Sequence, residues 1–109
     1  MGRDSLGPFE FQVLSVLMQH PRDAYGVAII KWIEARTGKA PSVGALYTTL
    51  DRLEKKGFVR SSLGAATPQR GGRRKRLFEI TASGERAVRT FGSFIAPFSP
   101  AAPAWGGVA

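Results

Sequence analysis

Ser42-Val43-Gly44-Ala45-Leu46-Tyr47-Thr48-Thr49-Leu50-Asp51-Arg52-Leu53-Glu54-Lys55-Lys56-Gly57 is the stretch on which the fold turns. Leu46, Leu50 and Leu53 recur at i, i+4 and i+7, the spacing of one face of a helix. Ser42 stands where a side-chain oxygen caps a helix N-terminus, and Gly57 stands where a helix stops. At about 100° per residue the direction opposite the leucines carries Gly44, Thr48, Asp51, Arg52 and Lys55, flanked by Ala45 and Tyr47. That face is small at its start and basic at its end.

Working upstream, Lys39-Ala40-Pro41 forms a short turn, preceded by a helix expected from Ala24 to about Thr37 with Asp23 as its N-cap and Gly38 as its stop. Tyr25, Ile29, Ile30 and Ile33 make its inner face. Two helices separated by about four residues fit a helix-turn-helix. Further upstream Pro8 opens a first helix, in which Phe9, Val13, Val16 and Leu17 form one apolar row and Phe11, Leu14 and Met18 a second. A surface helix of a monomer needs only one apolar stripe, so the second row predicts burial against a partner chain.

Downstream, Phe58 to Leu63 and Arg76 to Ile80 are β-prone segments around a turn-rich stretch with Gly64, Pro68, Gly71 and Gly72. They read as a hairpin with a long basic tip, a wing. Thr81 caps a last helix in which Val88, Phe91, Ile95 and Phe98 repeat at heptad-like spacing until Pro97 and Pro100 spoil it. The fold class expected is mainly α with a small β-hairpin (α+β), a winged helix-turn-helix. Residues 1–96 would form one domain ending in a dimerisation helix, and 97–109, rich in Ala, Pro and Gly, a flexible tail.

Composition narrows the function. The chain has 109 residues, 43% of them apolar, enough for one core. It has no cysteine, which removes disulfides, thiolate nucleophiles and cysteine-based metal sites. His20 is its one histidine and has no metal-ligand companions, so neither a catalytic set nor a metal site can be assembled and no cofactor is expected. No apolar run approaches a membrane span and no leader pattern opens the chain, so a soluble, cytoplasmic protein without a membrane partner is expected. The formal net charge is +8. Arg52, Lys55, Lys56, Arg60, Arg70, Arg73, Arg74, Lys75 and Arg76 against Glu54 alone account for all of it, and the rest of the chain is balanced. A polyanion partner would explain such a block.

The run from Leu46 to Val59 resembles the PadR family, whose recognition helix carries an LYxxLxRLExxG pattern. Ala24-Tyr25-Gly26 followed by Ile29 and Ile30 is similar to that family's second-helix opening. Gly72-Arg73-Arg74-Lys75-Arg76 resembles its basic wing, and Ile80-Thr81-Ala82-Ser83-Gly84 its entry to the final helix. The match covers roughly residues 6 to 95. The wing departs from the family in having Leu77 and Phe78 where paired aromatics are usual, and the short, proline-terminated last helix matches the small subfamily without a long second dimerisation domain. The resemblance implies a DNA-binding transcriptional regulator that dimerises through its C-terminal helix. Members repress operons for phenolic-acid detoxification, multidrug efflux or other stress responses, and some release DNA when an aromatic ligand binds, which makes a small aromatic effector a partner to test for.

Double-stranded DNA and a second copy of the chain are therefore the expected partners. On the third helix Ser42, Gly44 and Ala45 would let the backbone approach a phosphate, Tyr47 would reach one with its hydroxyl, and Thr48, Arg52 and Lys55 would face the duplex. Arg52 can pair with guanine O6 and N7 or equally with a phosphate. Arg70, Arg73, Arg74, Lys75 and Arg76 would lie along the backbone or enter a minor groove. Phe11, Leu14, Met18, Val88, Phe91, Ile95 and Phe98 are the expected dimer interface. Tyr25 and Phe58 are read as packing residues, and Trp32 as a half-buried surface residue. The alternative function is a winged-helix protein-interaction or RNA-binding module that uses the basic wing non-specifically; its mark would be equal affinity for any polyanion.

Overall fold

The computed structural model describes residues 6–66 and 74–95, and their side chains except those of 65, 66, 74 and 93–95. The element order is α1 (Pro8–Gln19), α2 (Gly26–Thr37), α3 (Val43–Lys55), β1 (Val59–Ala66), β2 (Arg74–Ile80) and α4 (Ala82–Ile95). Three helices, an antiparallel hairpin and a closing helix make the α+β arrangement of a winged helix.

Each boundary has a local cause. At α1, Pro8 takes the first helical position and the Glu10 carboxylate accepts the Gly7 N–H at 2.9 Å. Gly38 ends α2 at φ 81°, in the left-handed region open to glycine. Ser42 Oγ accepts the Ala45 N–H at 3.1 Å, the cap expected for α3. Gly57, at φ 82°, turns the chain from α3 into β1. Thr81 Oγ1 accepts the Gly84 N–H at 3.1 Å and donates to the Gly57 carbonyl at 2.7 Å, so one hydroxyl caps α4 and pins it to the end of α3.

The start of α2 differs from expectation. Tyr25, not Asp23, is its N-cap, and Asp23 adopts φ 58°. The reason is tertiary: the Ala24 carbonyl accepts the Phe78 N–H at 2.8 Å and Tyr25 pairs with Leu77. Residues 24 and 25 thus bridge to β2 beside the two-stranded hairpin, and the helix begins only after that pairing is made. The hairpin is also longer than expected at both inner ends, with Val59 opposite Ile80, Ser61 opposite Phe78 and Leu63 opposite Arg76, and an irregularity between Leu63 and Ala66. Leu63 is 60% exposed because the hairpin has by then left the core.

The core joins the first three helices to the hairpin base: Val13, Leu14, Val16 and Leu17 of α1, Ile29 and Ile33 of α2, Leu46, Leu50 and Leu53 of α3, with Phe58, Val59 and Phe78. A fully buried leucine contributes roughly 2 kcal/mol, so the leucine row of α3 is what holds that helix to the body. The expectation that α1 needs a partner chain to cover its second row is corrected here. Leu14 is wholly buried and Phe11 is 8% exposed within the chain's own core, where the Phe11 ring meets Phe91 of α4 at 4.8 Å between centroids. A helix enclosed by α2, α3 and α4 at once can be apolar on two sides in a monomer. Met18 is half-buried.

Candidate nucleic-acid interface

The third helix divides cleanly. Leu46, Thr49, Leu50 and Leu53 are buried, whereas Gly44, Ala45, Tyr47, Thr48, Asp51, Arg52 and Lys55 are exposed, and Ser42 is exposed at the cap. Every α3 residue expected to face a duplex therefore lies on open surface. The first amides of a helix have no acceptor within it, so this end presents donors and the positive end of the helix dipole, with Gly44 and Ala45 small beside Ser42 and an exposed Val43.

Among the exposed cations, the Arg52 guanidinium makes no hydrogen bond or ion pair with a described residue. Lys55 lies 3.5 Å from Asp51 one turn back, with side chains 78% and 62% exposed. A pair so exposed is worth only about 0.3–0.5 kcal/mol, and Lys55 exchanges it readily for another anion. Tyr47 is 38% exposed, with its ring edge-on to Phe78 at 6.0 Å. Its hydroxyl end lies against Gly26, where a Cβ would overlap the tyrosine ring, approaching Cζ at 2.9 Å. Gly26 is thus the residue that lets Tyr47 lie flat across the start of α2. Tyr47, Thr48, Leu50 and Asp51 of α3 and Arg76 and Phe78 of β2 line a shallow groove between the helix and the wing.

The wing is fastened at its base on both sides. Lys75 Nζ sits 4.0 Å from the centroid of the half-buried Tyr25 ring, a cation–π contact that leaves the ammonium free to meet an anion. Arg76 Nη2 donates to Glu54 Oε1 at 3.2 Å and to Ser61 Oγ at 3.3 Å, and Ser61 Oγ donates to Glu54 Oε2 at 3.0 Å. Arg60 Nε donates to Glu79 Oε1 across the hairpin at 3.1 Å, and that bond, with the Glu79 charge, raises the Arg60 pKa further. Arg70 and Arg73 lie outside the described residues, as does the side chain of Arg74, whose backbone opens β2.

Lys56 belongs to the basic block by sequence, yet it points inward. Its Nζ donates to Glu10 Oε1 at 3.0 Å and Oε2 at 3.2 Å, with side chains 19% and 10% exposed. The block is accordingly less basic toward solvent than the sequence count indicates, since Lys55, Lys56, Arg60 and Arg76 each have a carboxylate partner. Sequence reading missed the Glu10–Lys56 pair. Its one signal was Glu10 itself, an acid in an otherwise apolar turn, three residues past the helix N-cap.

The expected interface residues of α4, Val88 and Phe91, are half-buried against the chain's own core. The side chain of Ile95 and the whole of Phe98 lie outside the described residues, as does the 97–109 segment. Phe58 is buried, in keeping with a packing role. Trp32, half-buried, stacks on His20 with centroids 3.9 Å apart and planes 4° from parallel, which accounts for both rings at once. Among the described residues no three His, Cys, Asp or Glu side chains are grouped to hold a metal ion. No described helix is long and apolar enough to cross a membrane.

Comparison with known proteins agrees with this geometry. A PadR family transcription regulator from Clostridium difficile superposes with a TM-score of 0.67 at 26% identity, over 83% of this chain and 88% of that one. The complex structure of hsRosR-SG superposes with a TM-score of 0.67 at 28% identity, over 99% of this chain and 89% of that one. A PadR family regulator from Eggerthella lenta gives 0.63 at 27% identity, over 78% and 71%. No curated protein matches the chain. The sequence model of the transcriptional regulator PadR-like family matches residues 13–90, and with the helix, wing and exposed basic face above it the chain belongs to that family: a winged-helix, DNA-binding transcriptional regulator, and not an enzyme.

Proposed function

We propose that the chain is a cytoplasmic repressor that binds a palindromic operator as a homodimer, with α3 in the major groove and the wing on the flanking backbone. The observation that carries this reading is the division of α3: a buried leucine row that fixes the helix rigidly, and an open face with Arg52, held by no described residue, beside Thr48. Thr48 and Arg52 are one turn apart and reach base edges together when the helix lies in the groove. Ser42, Gly44, Ala45, Tyr47 and Lys55 position the helix on phosphates. Arg70, Arg73, Arg74 and Lys75 supply counter-charge from the wing.

The second copy docks through the heptad-like seam of the last helix that the sequence spells out, Val88, Phe91, Ile95 and Phe98. Residues 1–96 form the working unit and 97–109 its tail. A small planar aromatic molecule is the effector class to test, after the family's habit.

Titration of the chain against DNA from upstream of its own gene, in competition with unrelated duplex and with RNA, tests the reading. Specific interfaces exceed non-specific binding by at least about 10³-fold. A preference of that order for the upstream DNA is expected; equal affinity for every polyanion would overturn it in favour of a non-specific basic module.

A further inference from the structure

We propose that Arg76 is a positioning residue of the DNA-binding surface: together with Glu54 and Ser61 it fixes the angle between the wing and α3, and it makes no phosphate contact. This rests on the DNA-binding reading above and reassigns one member of the basic run.

Three separate restraints converge on this guanidinium. It donates to Glu54 Oε1 at 3.2 Å and to Ser61 Oγ at 3.3 Å, and its Cζ lies 5.1 Å from the centroid of Phe78, a core ring that is 3% exposed. Ser61 closes the triangle by donating to the second Glu54 oxygen at 3.0 Å. The three residues belong to α3, β1 and β2, so the cluster ties the recognition helix to both wing strands. Glu54 and Arg76 are 35% and 49% exposed at their side chains, and a lone pair at that exposure would be weak. A carboxylate and a guanidinium that share a hydroxyl and rest on a core aromatic lose little further side-chain freedom when they pair, which favours a network over a single bridge.

Electrostatics points the same way. Glu54 is the sole acid of the basic segment between Arg52 and Arg76. Its carboxylate bonds Arg76, which lines the groove between helix and wing, and an uncompensated carboxylate so close to a phosphate backbone would repel the duplex. Were Arg76 drawn off to a phosphate, Glu54 would be left bare beside the same polyanion. Held on Glu54, Arg76 cancels that charge, whereas Lys75, seated over the Tyr25 ring with no carboxylate partner among the described residues, keeps its own for an anion.

The sign of one substitution separates the two roles. Glu54→Gln makes the chain more positive; if Arg76 were a phosphate contact, freeing it would tighten DNA binding. As a positioning residue it predicts the reverse, a loss of about fivefold, the ratio equivalent to the upper end for an exposed pair. The measurement uses the full chain, a duplex recovered from a random-sequence pool by selection with the unaltered chain, and a scrambled duplex of equal length, each titrated over a range of salt. Arg76→Gln should weaken binding with the slope of log affinity against log salt unchanged, and the swap Glu54→Arg with Arg76→Glu should restore most of the affinity. Hydrogen exchange of β1 and β2 amides in the free chain should quicken in both single variants and recover in the swap. The proposal is overturned by tighter or unchanged binding in Glu54→Gln, by a slope reduced by about 0.9 in Arg76→Gln, or by unaltered exchange in the single variants. An unaltered chain that prefers no duplex over the scrambled one sinks the sequence-specific reading alone, since exchange and affinity for the scrambled duplex still decide the role of Arg76.

Discussion

Two cations in the same short segment have opposite assignments, and the difference lies in what each one touches. Arg52 projects from the exposed face of α3 with no described partner, while Lys56, four residues on, is folded back onto Glu10. Arg52→Ala is expected to lose roughly 1 to 3 kcal/mol on a selected duplex and less on random DNA if Arg52 reads a guanine; equal losses on both, measured by anisotropy titration, would assign it to a phosphate. Lys56→Ala should instead act on stability, because it takes the neutralising ammonium away from the nearly buried Glu10 carboxylate. A cost of about 2 to 4 kcal/mol in urea unfolding is expected, near the range for breaking a buried pair. A variant as stable as the parent would place that pair among the surface bridges that count for little.

At the scale of the element, the wing is a hairpin with a fastened base, and the sequence between its two strands carries Arg70 and Arg73. Replacing Arg73 and Arg74 together with Gln should flatten the slope of log affinity against log salt by up to about 0.9 for each phosphate no longer neutralised, with sequence preference hardly changed. An unchanged slope would make the run a bystander. The elements themselves were legible in the sequence wherever the cause was local. Ser42, Gly38, Gly57 and Thr81 stop or cap helices through their own conformational preferences, and each acts where expected. The start of α2 was not legible, because the Ala24 and Tyr25 backbone pairs with β2 across a long stretch of chain and no local pattern announces it. For the site, composition and spacing point to the exposed face of α3, but not to which cations have partners: the carboxylates that hold Lys56, Arg60 and Arg76 come from other elements or from distant turns.

At the scale of the whole molecule, one small core covers more than its sequence suggested. Phe11 and Leu14 are enclosed by the chain's own helices, and Phe91 reaches across to Phe11. The case for a second copy therefore passes from α1 to the far end of α4 and to the geometry of the duplex. Two copies related by a twofold axis would set their α3 helices in successive major grooves on one side of the DNA, about 34 Å apart. A hydroxyl-radical footprint on a duplex selected by the chain tests this most directly: the account predicts two protected half-sites in inverted repeat, about one helical turn apart on the same face. Protection of a single half-site, with no second protected turn, would contradict it.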